Sequence, residues 1–88
     1  MKCEQAKNIK LDLVLNKLGY APQKYLNSQN SIKYFSPFRE EKTPSFDYSP
    51  LKNAWFDHGT GEGGNTLDFI IGFQKCSVSQ ALNFLENI

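Results

Sequence analysis

Residues 55–65 read WFDHGTGEGGN, and they place four glycines in a chain that is otherwise rich in aromatic residues. Such a stretch can be a phosphate-binding loop, a metal knuckle or a tight turn. A dinucleotide-binding loop needs a βαβ unit and an acidic residue about 20 positions further on. Here the chain ends 24 residues after Gly64, with no second parallel strand and no Gly-Lys-Ser/Thr sequence. A nucleotide-binding loop is therefore disfavoured. A tight reversal before a helix is enough to explain the glycines, because glycine permits positive φ.

Helices are expected on both sides of this stretch. Gln5 to Asn8 can form a turn ahead of the first helix, which ends at Gly19 and whose apolar stripe consists of Leu11, Val14, Leu15 and Leu18. Two capping boxes predict two further helices near the C-terminus, Asn65 with Asp68 and Ser77 with Gln80.

The middle of the chain has the pattern of strands. Strands are expected at residues 32–35, 45–48 and 54–57, and a short one near residues 24–26. The last two of the longer strands form a hairpin around Ser49–Asn53. The predicted fold class is α+β, with a small antiparallel sheet flanked by N-terminal and C-terminal helices.

Length and charge limit the possible functions. The 88 residues are expected to form one domain, 1–88, with a formal net charge of +1. Residues 1–35 hold six basic and two acidic residues, whereas residues 36–88 hold four and seven. This balance is not that of a strong polyanion binder. Cys3 and Cys76 have no CxxC spacing, and no apolar segment is long enough for a membrane span or a signal peptide. We therefore expect two free thiols and a soluble, cytoplasmic protein.

The interpretation as a metal knuckle depends on the spacing between two pairs of residues. Zinc ribbons carry two short ligand pairs separated by roughly 15–20 residues. The chain has Ser36-x2-Arg39 and Asp57-x2-Thr60, with 17 residues between the pairs. The spacing of a zinc ribbon is therefore present, although its usual ligands are not.

Two segments, YFSPFREEKTPSFDYSP (34–50) and WFDHGTGEGGNTLDFI (55–70), resemble the N-terminal zinc-binding domain of bacterial replicative DNA primases. The match extends from Tyr34 to about Leu85, and its specific parts are Glu41 to Phe46 and the Gly-x-Gly-Gly sequence. The resemblance implies a zinc-ribbon-like sheet and the N-terminal part of a longer protein. It also implies that the Cys-His-Cys-Cys ligand positions are those now occupied by Ser36, Arg39, Asp57 and Thr60.

These four substitutions predict a degenerate ribbon without zinc. Serine and threonine hydroxyls are poor zinc ligands, and arginine stays protonated. Instead we expect Arg39 and Asp57 to form an ion pair, with the hydroxyls of Ser36 and Thr60 satisfying the remaining hydrogen-bonding groups. Apolar packing has to supply the rest of the stability, through Phe35, Phe38, Phe46, Tyr48, Trp55 and Phe56.

The resemblance implies a non-catalytic module that binds single-stranded DNA template in a replication or mobile-element protein. Its parent would be a primase-like nucleotidyltransferase. Basic side chains for phosphates and exposed aromatic rings for bases are the chemistry required. The candidate DNA-binding residues are Lys33, Tyr34, Arg39, Lys42, Thr43, Ser45, Lys52, Trp55 and His58. Tyr34 and Trp55 can equally be core residues, and the lysines can be solvated surface. Residues 31–60 hold four basic and four acidic groups, so binding should be weak and sensitive to salt.

Catalysis by the adjacent Asp57 and His58 is disfavoured, because neighbouring strand residues point to opposite faces. The alternative function is a protein-interaction module that docks to a primase catalytic domain, a helicase or another replication protein. Its contact surface would be the C-terminal helices, through exposed members of the set Phe69, Phe73 and Phe84.

Overall fold

A computed structural model describes residues 2–26, 30–38, 40 and 43–87. The chain forms two helices, a five-stranded sheet and two further helices, in the order α1 (Cys3–Asn8), α2 (Leu11–Lys17), β1 (Lys24–Leu26), β2 (Ser31–Tyr34), β3 (Phe46–Ser49), β4 (Ala54–Asp57), β5 (Glu62–Gly64), α3 (Thr66–Gln74) and α4 (Val78–Glu86). The predicted α+β class is confirmed. None of the described helices has the length and apolar character of a membrane span. The cytoplasmic location stays a prediction.

The sheet is an antiparallel meander with strand order β1-β2-β3-β4-β5. Its inner face lies against the helices and carries buried side chains from the three central strands, Tyr34, Phe46, Tyr48, Trp55 and Asp57. Its outer face carries one cross-strand row, in which Lys24 pairs with Lys33, Lys33 with Asp47, Asp47 with Phe56, and Phe56 with Gly63. The alternation of strand side chains therefore separates a core face from a face free of helices.

Aromatic rings form the centre of the core. The rings of Phe46 and Trp55 stack at a centroid distance of 5.5 Å, and Phe69 of α3 meets both edge-on. Phe38 packs against Trp55 at 5.4 Å and against Phe69 at 5.5 Å. The indole Nε1 of Trp55 donates to the backbone carbonyl of Asn65 at 2.8 Å, so this buried ring leaves no polar atom unpaired.

The predicted helix ends are confirmed. Asn65 and Asp68 exchange hydrogen bonds at 3.0 Å each, and Ser77 and Gln80 form the second capping box. Gly19, at φ +92°, follows the end of α2. Residues 5–8, expected as a turn, belong to the helix α1, which begins at Cys3.

The strands differ from the prediction at their edges. The strands expected at 32–35 and 45–48 occur one residue away, at 31–34 and 46–49. The predicted glycine turn after β4 contains the strand β5, which pairs with β4 through its backbone. Within the glycine stretch, the described positive φ is that of Gly61, at +77°. Gly63 is instead a site of close approach, where a Cβ atom would lie 2.6 Å from the carbonyl oxygen of Trp55.

Asn53 joins the N-terminal helices to the sheet. It occupies the turn between β3 and β4 at φ +50°. Its Oδ1 accepts hydrogen bonds from the backbone N–H of Leu11 at 3.0 Å and from the hydroxyl of Tyr48 at 2.7 Å. Its Nδ2 donates to the carbonyls of Lys7 at 3.2 Å and Ile9 at 2.9 Å. This amide therefore pairs two carbonyls and one N–H at the junction between α1 and α2, where the Thr66 hydroxyl also donates to the carbonyl of Ile9.

Two buried phenols lie near Asp12 of α2. Burial, and secondarily the negative charge of Asp12, raises the pKa of Tyr34 and that of Tyr48 to about 12 each. Their hydroxyls therefore stay protonated in the folded protein well above the ordinary pKa of tyrosine.

Candidate nucleic-acid interface

The outer face of the sheet carries an exposed aromatic ring at its centre. Phe56 is 42% exposed, although its strand neighbours Trp55 and Asp57 are buried. The missing Cβ of Gly63 leaves room for this ring, since a Cβ there would lie 3.1 Å from Phe56 Cδ2. His58 meets Phe56 edge-on, with ring centroids 4.8 Å apart. Phe56 was expected to contribute to buried packing, and its exposure corrects that expectation.

Charged groups flank the Phe56 ring. The Nζ of Lys33 lies 2.6 Å from Oδ1 of Asp47, and Nε2 of His58 lies 2.7 Å from Oδ2 of the same carboxylate. The side chains of Lys33, Asp47 and His58 are 27%, 23% and 54% exposed. Asp47 therefore holds two nitrogen groups beside the ring and offsets the positive charge of Lys33.

A groove of about 570 Å³ runs beside this row, towards the turn between β3 and β4. Asn30 shapes one end of it, because its Oδ1 accepts from the N–H of Leu51 at 2.9 Å and from Ser49 Oγ at 3.1 Å. Leu51 is 80% exposed and Lys52 is also exposed, and both line the groove. The outer face therefore combines an open aromatic ring, an apolar side chain and basic groups around a shallow concavity.

The structure separates the predicted DNA-binding residues into groups. Lys33 and His58 meet through Asp47, and Lys52 borders the groove. Thr43 is exposed, and the carbonyl of Ser45 accepts from the N–H of His58 at 2.9 Å, so Ser45 lies next to this face. Arg39 and Lys42 lie outside the described residues.

Tyr34 and Trp55 require a correction as base-stacking candidates. Tyr34 is 2% exposed and Trp55 is 6% exposed, both in the core. A ring must present a face to solvent in order to stack on a base. Sequence reasoning missed Asp47, Phe56 and Leu51. Alternation around Trp55 could have identified Phe56, because its two neighbours are on the core face.

The first residues of the two ligand-like pairs meet beneath the sheet. Ser36 Oγ donates to Asp57 Oδ2 at 2.7 Å, and the two residues are 3% and 0% exposed. The other oxygen of Asp57, Oδ1, accepts from the N–H groups of Gly59 at 2.8 Å and Thr60 at 3.3 Å. The carboxylate thus closes the knuckle that follows β4 and connects it to the loop after β2. The Thr60 hydroxyl accepts from the N–H of Glu62 at 3.3 Å.

Asp57 and His58 point to opposite faces, as predicted. Asp57 contacts Ser36 inside, whereas His58 contacts Asp47 outside. The ion pair expected between Arg39 and Asp57 stays a prediction, because Arg39 lies outside the described residues.

Comparison with known proteins identifies the family. Residues 10–88 match the family model of the CHC2 zinc finger. The chain belongs to the CHC2 zinc finger family.

Relatives of this CHC2 zinc finger are DNA primases. It is 34% identical to the DNA primase of Borreliella burgdorferi over 62 residues, which are 70% of this chain and 12% of that protein. It is 43% identical to the DNA primase of Pseudomonas aeruginosa over 49 residues, which are 56% of this chain and 7% of that protein. The chain thus spans about a tenth of the length of these relatives.

A solved structure shares the fold. The crystal structure of the Aquifex aeolicus primase, containing its zinc-binding and RNA polymerase domains, is similar with a TM-score of 0.71 and 25% identity. The similarity covers 96% of this chain and 20% of that one.

The residues present at the knuckle do not fit the zinc ion that the family name implies. Serine and threonine offer neutral hydroxyls, and both oxygens of the one carboxylate already accept hydrogen bonds. Among the described residues, no group of three or more His, Cys, Asp or Glu side chains could hold a metal ion.

Proposed function

We propose that this domain binds single-stranded DNA as the template-binding module of a primase-like replication or mobile-element protein. The observation that carries the proposal is the outer face of the sheet, where the exposed ring of Phe56 lies among Lys33, Lys52 and His58. An exposed ring stacks on bases of any sequence, and basic side chains neutralise phosphates. The similarity to DNA primases supports the same function.

Binding by this face is expected to be weak. Asp47 neutralises the charge of Lys33, and the ring that the outer face presents beside it, Phe56, is 42% exposed. Stacking on a single aromatic ring contributes roughly 1–3 kcal/mol per base. Each phosphate contact with a single strand adds about 0.7 to the slope of affinity against salt on logarithmic axes. The domain would therefore depend on the longer protein for tight template binding.

We further propose that the domain is not catalytic by itself. Within the described part of the chain, Asp57 is buried in structural hydrogen bonds and His58 is engaged with Asp47 on the other face. The synthesis of primers would then belong to another domain of a longer protein.

The protein-interaction alternative has less support from the C-terminal helices. Phe69 is fully buried, and Phe73 stacks on it at a centroid distance of 5.5 Å. Phe84 is partly buried and packs against the core. The exposed large apolar residue described on these helices is Val78, at 45%. Docking to a catalytic domain or helicase would therefore need a surface other than the three phenylalanines predicted for it.

The test is fluorescence anisotropy of a labelled single-stranded oligonucleotide titrated with the domain at low and moderate salt. Saturable binding that weakens with salt is expected for the wild type. Phe56→Ala should weaken binding by about 5- to 150-fold, the equivalent of one lost stacking contact. Val78→Ala, which truncates an exposed apolar residue on α4, serves as the matched control.

Charge reversal provides a second pair of test and control variants. Lys52→Glu at the groove should weaken binding and flatten the salt dependence, whereas Lys17→Glu at the end of α2 should leave both nearly unchanged. Equal effects of the two variants would contradict a DNA interface on the outer face.

A further inference from the structure

The loop after β2 and the knuckle after β4 are joined by one buried carboxylate. Asp57 accepts a hydrogen bond from Ser36 Oγ at 2.7 Å through Oδ2 and two knuckle N–H groups through Oδ1. Its own backbone carbonyl accepts from the N–H of Gly61 at 2.8 Å. Residues 21 positions apart in sequence are thereby fixed to each other, as two ligand pairs are when they share one metal ion.

Ser36 extends this connection into the core. Its Oγ also accepts the backbone N–H of Phe38 at 3.2 Å, which fixes the turn that carries the Phe38 ring. That ring packs against Trp55 and Phe69. The hydroxyl therefore makes two hydrogen bonds at once: it donates to the carboxylate and accepts from the loop backbone.

This hydrogen-bonding scheme competes with metal coordination at the same atoms. A cation at Asp57 would compete with the hydrogen bonds that this carboxylate accepts from Ser36, Gly59 and Thr60. Breaking the bond from Ser36 would cost a buried hydrogen bond to a charged group. Hydrogen bonds from several donors stabilise the ionised form of a buried carboxylate and fix its position.

We propose that Asp57, held by Ser36 and the knuckle N–H groups, takes over the mechanical role of the family's zinc ion, so that this domain folds and functions without metal. The two loops are locked by hydrogen bonds formed within the chain instead of by thiolate ligands. Folding is then independent of zinc supply, and chelators do not affect the sheet face. This inference concerns the stability of the fold and does not depend on DNA binding.

The first experiment measures metal content and thermal unfolding of the purified domain. Expected results are a zinc content far below one ion per chain, and the same Tm with and without EDTA or 1,10-phenanthroline. About one zinc ion per chain, together with a Tm that falls on chelation, would overturn the proposal.

The second experiment tests the carboxylate connection itself. Ser36→Ala removes a buried hydrogen bond to a charged group, and the expected Tm decrease is at least about 6 °C for a domain of this size. Ser79→Ala makes the same change at an exposed position of α4 and should leave Tm within about 2 °C. Equal Tm values for the two variants would show that Ser36 and Asp57 do not hold the loops together, and would overturn the proposal.

A third variant keeps the test informative if Ser36→Ala does not fold. Ser36→Thr retains the hydroxyl and should keep the metal-independent Tm closer to wild type than Ser36→Ala does. A folded Ser36→Thr beside an unfolded Ser36→Ala supports the proposal, whereas the loss of folding in both variants assigns the effect to packing and overturns it.

Discussion

Removing the negative charge of Asp47 should strengthen DNA binding, in contrast to most substitutions in a binding site. Asp47 lies between Lys33 and His58 on the outer face, at 2.6 and 2.7 Å from their nitrogen atoms. A phosphate that binds Lys33 Nζ on the side opposite Asp47 still lies close enough to this carboxylate to be repelled by it. Asp47→Asn keeps the size of the side chain and a hydrogen-bonding group, but abolishes the repulsion.

The magnitude follows from the geometry. A phosphate oxygen about 2.8 Å from Nζ, opposite the 2.6 Å contact to Asp47, lies about 5.4 Å from the carboxylate oxygen. Two unit charges at that distance repel by about 0.8 kcal/mol at a dielectric constant of 80, and by about 1.5 kcal/mol at 40. The expected gain in affinity is therefore about 4- to 13-fold at low salt.

The assay is the same anisotropy titration, repeated at several salt concentrations. Asp47→Asn should also steepen the slope of log affinity against log salt by up to about 0.7, which corresponds to one additional phosphate contact. Glu4→Gln removes the same charge from α1, away from the sheet face, and controls for net charge. If Asp47→Asn binds no more tightly than Glu4→Gln while its circular dichroism is native, Lys33 is not a phosphate contact and the interface is misplaced.

Three further predictions concern stability and the knuckle. Asn53→Ala should lower the free energy of unfolding by about 2–4 kcal/mol in denaturant titrations, because it removes the bonds to Leu11, Tyr48, Lys7 and Ile9. Asn83→Ala, at an exposed position of α4, should change it little. The pKa values of Tyr34 and Tyr48 are about 12 in the folded state and about 10 in the unfolded chain, so the unfolded chain loses these protons first. Stability should therefore be complete below pH 10 and fall between pH 10 and 12, by up to about 1.4 kcal/mol per pH unit for each tyrosine. Tyr48→Phe should reduce that slope, and an unchanged slope would exclude its phenol as the cause. The combined variant Ser36→Cys, Asp57→Cys and Thr60→Cys should bind cobalt(II) with the absorption of thiolate coordination, and a folded variant without that absorption would show that the three positions do not converge closely enough for one metal ion.

Local sequence signals predicted the elements that depend on local chemistry. The helix starts at Asn65 and Ser77 follow from side chains that cap the backbone within three residues, and Gly19 ends α2 through its own φ. The alternation of the strands separated the core face from the outer face. The spacing of the ligand-like pairs predicted that the loops at Ser36 and Asp57 come together, and their hydrogen bond is that contact.

The features that sequence reasoning missed depend on distant backbone contacts. The strand β5 has the sequence Glu-Gly-Gly, which has little intrinsic β propensity, and it exists because β4 supplies its hydrogen bonds. Asn53 reads as an ordinary turn residue, since its partners at Lys7, Ile9 and Leu11 are more than 40 positions away. Asp47 has no local signal either, because its contacts with Lys33 and His58 require the strands to be paired first.

The meander order of the sheet has a consequence for how this fold can evolve. Every hydrogen-bonded strand neighbour is also the next strand in sequence, so each pairing closes a short loop and contact order within the sheet is low. Such a sheet can find its topology during folding from hairpins alone. A metal ion, or the carboxylate that stands in its place, then only has to lock loops that the hairpins have already brought near each other. Replacing the metal ion by the carboxylate therefore changes the stability of the folded state and leaves the folding pathway largely unchanged.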